Sequence, residues 1–277
     1  MNLQEESINK AIQYIENNLS EELSLDEVSE VVAYSPYHFS RLFKQFTGEN
    51  IMSMIKRLRL AQSTRELLHK DSSITEIGLN VGYETSSSFN KAFKQVFGYS
   101  PSVYKKELEE NLKRYKRKLK DEPKIVTVEK EIITIFSRAT GEYGEAAFQS
   151  WQRLIALSDE KSLNFENKKY FGICFDDPTI TEYKKMRYEA CLSIDNKTED
   201  YKKYSYKSIP KGKYAVLKHK GDYEELYEIW LQFYGWIIEK NLKLADFPPF
   251  EEYLNNPKKV LQKETTDFET NLYLLLV

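Results

Sequence analysis

Residues 74–106 read ITEIGLNVGYETSSSFNKAFKQVFGYSPSVYKK, and they repeat an earlier stretch, LSLDEVSEVVAYSPYHFSRLFKQFTG, at residues 23–48. Apolar residues recur at helical spacing in both stretches. Each stretch opens near a Ser-x-x-Glu capping box, at residues 24–27 and 73–76. The sequence therefore predicts an all-α N-terminal domain with two helix–short turn–helix units, joined by a longer helix from about residue 51 to residue 68.

Charge is spread unevenly along the chain, although the net charge is only −2 over 277 residues. Residues 1–30 carry a net charge of −7, residues 31–120 a net charge of +9, and residues 121–277 a net charge of −4. The basic segment contains the second helix of both repeated units. Basic charge concentrated on a helix-turn-helix segment is the electrostatic footprint of DNA binding.

The second helix of each unit is predicted to enter the major groove of DNA. Exposed side chains near its start would read bases, and Lys and Arg further along would hold phosphates. Two such helices in one chain predict an asymmetric site on double-stranded DNA, with two major-groove segments about 34 Å apart. The candidate DNA-binding residues are Tyr37, Ser40, Arg41, Lys44, Ser86, Ser87, Asn90, Lys91 and Lys94.

Some of these residues also have a structural interpretation. Tyr37 can be a surface aromatic residue that covers the turn, and the serines at 86–88 can start or cap the helix instead of reading bases. For Ser88, capping or packing is the expected role. Arg41 is the residue type that makes a bidentate contact with guanine, worth about 1–3 kcal/mol of discrimination.

The two units resemble the DNA-binding domain of the AraC/XylS family over about residues 5–107. The second unit has that family's order: an Ile-rich helix, Gly-Tyr, a Ser-rich turn, Phe-x-Lys-x-Phe-Lys and Gly-Tyr-Ser-Pro. Gly78 departs from the usual Ala, which should cost up to about 1 kcal/mol of helix propensity. Asn50-Ile51 replaces the usual Ser-Pro. The resemblance implies a transcription regulator that binds DNA and has RNA polymerase as a partner.

After Pro123 the pattern changes from helical to mixed. Thr140-Gly141-Glu142-Tyr143 resembles Lys220-Gly221-Asp222-Tyr223, and a Trp follows each, Trp151 and Trp230. This weak repeat predicts an α+β C-terminal domain of two strand–helix–strand repeats around a cleft. Strands are expected within residues 125–136, 170–175, 187–194, 214–219 and 272–277, and helices at 141–157 and 223–242.

The domain organisation follows from these patterns. A DNA-binding domain is expected at residues 1–110, a charged linker at 111–123, and a small-molecule-binding domain at 124–277. The stretch 105–120 favours a solvated terminal helix and linker over an additional contact with DNA, because its charges pair at i,i+4 spacing.

Residues 172–178, 186–190, 212–216, 219–223 and 250–254 resemble the GyrI-like effector-binding domain, and the resemblance covers about residues 125–277. It implies a small-molecule effector in the cleft, with Glu251 as the binding carboxylate, since it fits the family's Phe-Glu-x-Tyr pattern. Glu252 is the second choice.

A carboxylate among aromatic rings suits an amphipathic cation, because each ring adds about 0.5–2 kcal/mol of cation–π attraction. Each candidate wall has an ordinary alternative as core packing. The candidate ligand-binding residues are Glu251, Trp151, Tyr188, Trp230 and Tyr253.

The sequence predicts no metal and no cofactor. Cys174 and Cys191 lie in apolar, strand-like surroundings without metal or disulfide spacing, and His38, His69 and His219 lack ligand spacing. A stretch of about 20 apolar residues and the apolar core of a signal peptide are both missing, so a cytoplasmic protein without a membrane partner is expected.

Two other functions stay open. Some GyrI-like proteins resemble hydrolases that use the same pocket glutamate, so the C-terminal half can be read as a small-molecule hydrolase. A ligand-independent module that binds protein partners is the other alternative. Since the sequence contains no nucleophile–His–acid set and a DNA reader is fused to this half, we expect a regulator that is not an enzyme.

Overall fold

The computed structural model describes residues 3–68, 72–115, 119–160, 165–176, 181–195 and 205–277. The chain divides into two compact units. The first comprises Met1–Leu108 with Asp176–Lys185, and the second comprises Glu109–Phe175 with Met186–Val277.

The N-terminal part of the first unit is built of short helices, as the periodicity predicts. The long helix between the two repeated units ends at Glu66, slightly before the expected end. The helix that follows the second unit continues through Tyr115, into the segment predicted as a linker. The helices are α1 (Leu3–Asn17), α2 (Leu25–Val31), α3 (Pro36–Thr47), α4 (Ile51–Glu66), α5 (Ile74–Asn80), α6 (Ser86–Phe97) and α7 (Pro101–Tyr115).

Helices α2 and α3 form the first helix-turn-helix unit, and α5 and α6 form the second. Phe39 and Phe43 are fully buried in one core cluster, and Phe89 and Phe93 occupy the matching places in another. Both second helices end at a glycine in the left-handed region, with φ of +75° at Gly48 and +78° at Gly98. The predicted duplication is therefore present in the backbone and in the core.

The two predicted capping boxes differ. Ser73 and Glu76 form the complete reciprocal box at the start of α5. Ser24 accepts from the Glu27 N–H at the start of α2, at 3.1 Å. The second bond of a capping box, from the Ser24 N–H to the Glu27 side chain, is not formed. The Tyr14 hydroxyl donates to the Glu27 carboxylate instead, so a contact from α1 overrides the local pattern.

Gly78 has a packing reason that the sequence comparison could not give. A Cβ at this position would lie 2.9 Å from Phe89, closer than such contacts occur. The buried α5–α6 contact therefore offsets the helix propensity that glycine loses.

The second unit is an α+β domain, which confirms the predicted fold class. One antiparallel sheet contains the strands in the order β1-β6-β8-β7-β3-β4-β2-β5. Helix α8 packs on β2 and β4, and α9 packs on β6. The elements are β1 (Lys124–Val128), β2 (Ile132–Thr140), α8 (Tyr143–Glu160), β3 (Tyr170–Cys174), β4 (Arg187–Ser193), β5 (Ser205–Ile209), β6 (Gly212–Lys220), α9 (Leu226–Glu239), β7 (Phe250–Tyr253), α10 (Pro257–Leu261) and β8 (Glu269–Leu275).

The weak repeat in the sequence corresponds to two copies of one topology. Strands β2, β3 and β4 with α8 form the first copy, and β6, β7 and β8 with α9 form the second. The pairing of β3 with β7 joins the copies at the middle of the sheet. Each copy also receives an edge strand from outside it, since β1 pairs with β6 and β5 pairs with β2.

Strands β5 and β7 are absent from the sequence-based expectation. Strand β7 has the sequence Phe-Glu-Glu-Tyr, and all four residues are buried. Two carboxylates in four residues do not resemble a buried strand, so local pattern could not predict the central position of β7.

Candidate functional site

Strand β7 places Glu251 and Tyr253 on the sheet face that the helices cover. Glu251 pairs with Gly172, and Tyr253 pairs with Tyr170, both on β3. Because side chains alternate along a strand, Phe250 and the other carboxylate of β7 point to the opposite face. The strip of sheet between α8 and α9 therefore carries one acidic side chain from β7.

The five candidate ligand-binding residues form one continuous chain of hydrogen bonds. The Trp151 indole N–H donates to the Tyr188 hydroxyl at 3.1 Å, and the Tyr188 and Tyr253 hydroxyls are 2.9 Å apart. Tyr253 donates to Glu251 Oε2 at 2.6 Å, and the Trp230 indole N–H donates to Oε1 at 2.9 Å. Since the Tyr253 proton is used on Glu251, Tyr188 is the donor to Tyr253.

This chain joins the two repeats. Trp151 lies on α8 and Trp230 lies on α9, so each helix contributes one indole donor to the same network. The Glu251 carboxylate accepts at one end from the second helix and at the other from the tyrosine pair. Every bond is directed toward the only carboxylate of this network, which stabilises its charged form.

Gly172 makes room for the two tyrosine hydroxyls. A Cβ at this position would collide with the hydroxyl oxygens of both Tyr188 and Tyr253. Glycine is therefore required on β3 by close approach of side chains, and not by an unusual backbone angle.

The carboxylate has a perturbed environment. Glu251 is buried, with 6% of its surface exposed, and desolvation raises its pKa above the ordinary value. The hydrogen bonds from Tyr253 and Trp230 act in the opposite direction but do not cancel the effect of burial. The pKa values of Tyr188 and Tyr253 are also raised, first by burial and then by the charge of Glu251, so both hydroxyls stay protonated donors.

Glu252, the second choice for the binding carboxylate, lies on the other face of the sheet. It accepts from the Tyr273 hydroxyl at 2.7 Å and from the Asn271 amide at 3.2 Å, and its Oε1 is 3.3 Å from Lys169 Nζ. These partners hold it as a structural carboxylate, separated from Glu251 by the sheet.

Aromatic rings surround the network. The Trp151 ring lies edge-on to Tyr253 with centroids 6.0 Å apart. Tyr223 lies edge-on to Tyr253 at 5.5 Å and stacks on Phe268 at 4.8 Å. Sequence reasoning used Tyr223 only as part of the repeat motif and missed it as a wall, although its position next to Gly221 at the strand–helix corner was a usable signal.

The predicted DNA-reading positions lie on matching faces of α3 and α6. Among the candidates, Tyr37, Arg41, Lys44, Ser87, Lys91 and Lys94 are exposed, and Ser40, Ser86 and Asn90 are half-buried. The pattern of burial is the same from residue 37 to residue 47 as from residue 87 to residue 97. Both helices thus expose side chains at the same positions along their length.

Several of these side chains already interact locally. The guanidinium of Arg41 lies 6.0 Å from the centre of the Tyr37 ring. Asn90 Nδ2 donates to the backbone oxygen of Ser86 at 2.7 Å and is 3.2 Å from its hydroxyl. Thr85 is the N-cap of α6, because its hydroxyl accepts from the Ser88 N–H at 3.1 Å. The hydroxyl of Ser88 donates to the Thr85 carbonyl at 2.8 Å, so Ser88 is held by the helix start while Thr85 is the residue that caps it.

Within the described residues, no group of three or more His, Cys, Asp or Glu side chains could hold a metal ion. His69 lies outside the described residues, as do Asp177 and Pro178 of the turn after β3. Cys174 and Cys191 form no disulfide, and burial raises the pKa of the Cys191 thiol. None of the described helices combines the length and the apolar character needed to cross a membrane.

Two protein-family models match the chain. The GyrI-like small molecule binding domain matches residues 121–277, and a helix-turn-helix domain matches residues 28–107. The first match covers the sheet with the hydrogen-bonded network, and the second covers both candidate reading helices.

The curated relatives match about a third of the chain. The regulatory protein PocR of Salmonella typhimurium is 37% identical over 102 residues, which are 37% of this chain and 34% of PocR. The transcriptional activator AarP of Providencia stuartii is 32% identical over 35% of this chain and 73% of AarP. The chain thus spans about a third of PocR and nearly three quarters of AarP.

A cryo-EM structure of an EcmrR–DNA complex covers 90% of this chain and 84% of that chain, with 14% identity and a TM-score of 0.44. By the two family matches, the chain therefore belongs to the GyrI-like small-molecule-binding family, with an AraC-type helix-turn-helix domain in its N-terminal part.

Proposed function

We propose that the protein is a DNA-binding transcription regulator whose C-terminal domain binds a small amphipathic cation. Support for DNA binding comes from two copies of one exposed helix face inside the basic segment of the chain. Support for the ligand comes from Glu251, a buried carboxylate that is surrounded by rings and hydrogen-bonded by both repeats.

The DNA site is expected to be asymmetric. Arg41 of α3 and Lys91 of α6 stand at equivalent exposed positions, but a guanidinium and an ammonium read bases differently. Arg41 can make the bidentate contact with guanine, whereas Lys91 acts as a point charge. One protein molecule would therefore prefer two unlike blocks of sequence about one helical turn apart.

Selection from random duplexes across a salt series tests this proposal. We expect enrichment of an asymmetric site and an affinity that falls steeply with salt. Arg41→Ala should relax base preference in one block only and weaken binding by about 1–3 kcal/mol. Lack of enrichment, or the same preference in Arg41→Ala and the wild type, would contradict the assignment.

The carboxylate of Glu251 still has capacity for a ligand. A carboxylate offers about four acceptor positions, and Trp230 and Tyr253 occupy one on each oxygen. A cation that enters between α8 and α9 gains the negative charge and the ring faces in a dry environment, where both attractions are strongest. Trp230 is only partly buried, which makes it the side chain that a ligand meets first.

Neighbouring carboxylates supply a matched pair of variants. Glu251→Gln keeps the shape but removes the charge, and should weaken binding of hexyltrimethylammonium at least tenfold at neutral pH. Glu252→Gln changes the adjacent residue on the other face and should leave binding unchanged. Calorimetry on the full chain gives both affinities. Equal affinities in the two variants would contradict the role of Glu251.

The same titrations separate the alternatives. Turnover of a bound cation, lost in Glu251→Gln, would favour a hydrolase, and failure of every amphipathic cation to bind would favour a ligand-independent protein-binding module.

We propose that the protein is not an enzyme, needs no cofactor, acts in the cytoplasm and reaches RNA polymerase from its DNA site. For separate expression we propose the boundaries 1–110 and 124–277, with 111–123 as linker.

A further inference from the structure

Two polar side chains next to the network have unused hydrogen-bonding capacity. His219 on β6 pairs across the sheet with Thr270 on β8, and Thr270 pairs with Tyr253 on β7. The three side chains therefore form a row on the helix-covered face. His219 is close enough to Glu251 for a protonated imidazole to lower the pKa of that carboxyl.

Neither side chain makes a hydrogen bond through its polar atom within the described residues, although His219 Nε2 lies within ion-pair distance of the Glu225 carboxylate. Thr270 is fully buried, and its hydroxyl has no hydrogen bond to any described residue. His219 is 7% exposed, and its buried Nε2 likewise makes no hydrogen bond within the described part of the chain. Buried polar atoms without hydrogen bonds are rare in folded proteins because each loses its hydration. The Thr270 hydroxyl therefore needs an explanation, and His219, next to it, has only the long contact with Glu225.

The corner beside them is a glycine because polar side chains occupy the space that a Cβ would take. Gly221 follows β6 with φ of +155°, and a Cβ there would lie 2.5 Å from Glu225 Oε2 and 3.0 Å from His219 Nε2. Glu225 Oε2 is 3.4 Å from His219 Nε2, and the Glu225 side chain is 60% exposed. The polar row thus continues from buried Thr270 through His219 to a carboxylate at the surface.

We propose that Thr270 and His219 form a second, polar subsite of the effector site, which receives a hydroxyl group of the ligand. This inference rests on the proposed binding of a cation at Glu251. Thr270 and His219 lie in the row of Tyr253, two residues along β7 from Glu251. Thr270 is therefore a diagonal neighbour of Glu251 at about 7–8 Å, and His219, one strand further, lies at about 12 Å. The effector is therefore a cation that carries a hydroxyl about 7–12 Å from its charge.

A hydroxyl suits both atoms because it can donate and accept at the same time. Thr270 has one O–H donor and lone pairs to offer, and neutral or charged imidazole can bind the same group from the other side. A purely apolar tail would leave both atoms unsatisfied, which lowers its affinity relative to the hydroxylated ligand.

A matched pair of ligands and a matched pair of variants test the subsite on the full chain. The ligands are hexyltrimethylammonium and 6-hydroxyhexyltrimethylammonium, which differ only in the hydroxyl. The variants are Thr270→Val and Thr134→Val. Thr134 is also fully buried in the sheet, but its hydroxyl donates to the Lys207 carbonyl at 2.8 Å and serves as the control.

We expect the wild type to bind the hydroxylated ligand about three- to tenfold more tightly than hexyltrimethylammonium. Thr270→Val should remove this preference, so that the two ligands bind with equal affinity, and its melting temperature should not fall. Thr134→Val should lose stability but keep the preference.

Equal affinity of the wild type for both ligands would overturn the subsite and leave cation binding at Glu251 intact. A preference that survives in Thr270→Val would overturn the role of that residue. Absence of binding for either ligand would overturn the proposed function together with the subsite.

Discussion

The two strand–helix–strand repeats of the C-terminal domain share a backbone and differ in the side chains that meet on the sheet. Gly141 and Gly221 end equivalent strands with φ of +153° and +155°. Their N–H groups donate to Met186 and Phe268, at 2.9 and 3.1 Å. The corner that leads into each helix is thus the same hydrogen-bonded structure in both copies.

The side chains on that common frame have diverged. Trp151 of the first repeat donates to a neutral hydroxyl, whereas Trp230 of the second donates to the Glu251 carboxylate. The second-last residue of the first strand is Ala139 in one copy and His219 in the other. A duplicated fold therefore supplies two similar walls, while the carboxylate of the network, Glu251, and the buried Thr270 hydroxyl that makes no hydrogen bond both lie on strands of the second copy. Such a difference between the walls is what recognition of an asymmetric ligand requires.

The variant with the largest expected effect on the two repeats is Gly172→Ala, on the strand where they meet. The added methyl would displace the hydroxyls of Tyr188 and Tyr253, so the first repeat would lose its connection to Glu251. We expect the free energy of unfolding to fall by about 1–3 kcal/mol, as in other overpacked cores. Cation binding should weaken at least tenfold. Chemical denaturation and calorimetry measure the two effects, and wild-type values for both would refute the close packing.

The charge that distinguishes the second repeat should make binding depend on pH. Burial raises the pKa of Glu251 above its ordinary value of 4.5, so the folded protein holds this proton more tightly than the unfolded chain. Affinity for hexyltrimethylammonium should therefore fall up to tenfold for each pH unit below the raised pKa. The free energy of unfolding contributed by this group should decrease as pH rises from 4.5 through that pKa.

Glu251→Gln is the control for the pH experiment. It should bind the cation weakly at every pH and lose the step in both affinity and stability. A wild-type affinity that is constant from pH 4.5 to pH 8 would show that the cation does not sense the charge of Glu251.

Replacement of each tryptophan by phenylalanine compares the repeats directly. Trp230→Phe removes a donor from the charged carboxylate, which should raise the pKa of Glu251 further. Below neutral pH, the cation should then bind about three- to tenfold more weakly than to the wild type. Trp151→Phe removes a donor from a neutral hydroxyl and should leave the pH profile almost unchanged. Equal profiles for the two variants would mean that the repeats are equivalent in charge as well as in shape.

Sequence patterns predicted much of this architecture because the patterns are local. The helix-turn-helix duplication, the fold class and the weak C-terminal repeat all follow from periodicity and from matching motifs. The five candidate ligand-binding residues were named one by one, and the structure adds that they form a single hydrogen-bonded chain. Their role in ligand binding and the role of the nine DNA-binding candidates stay predictions.

What sequence missed depends on pairing between distant segments. Strand β7 is recognisable only from its neighbours β3 and β8, because Phe-Glu-Glu-Tyr alone does not alternate as a buried strand does. The reason for Gly172 is the approach of two tyrosines from other strands. The half-formed capping box at Ser24 results from Tyr14 of another helix. In each case a tertiary contact overrides the local preference.

The smallest expected effect concerns the beginning of α8, which we place outside the ligand site. Gly144 is exposed in the first turn of this helix, and the equivalent position 80 residues later is Glu224. A Cβ at Gly144 would approach nothing closer than 4.0 Å, so Gly144→Ala costs no packing and reduces the freedom of the unfolded chain. The free energy of unfolding should rise by about 0.5 kcal/mol, with a melting temperature about 1–2 °C higher and unchanged cation affinity. If the affinity changed instead, the ligand would have to contact the beginning of α8, and this segment would belong to the ligand site.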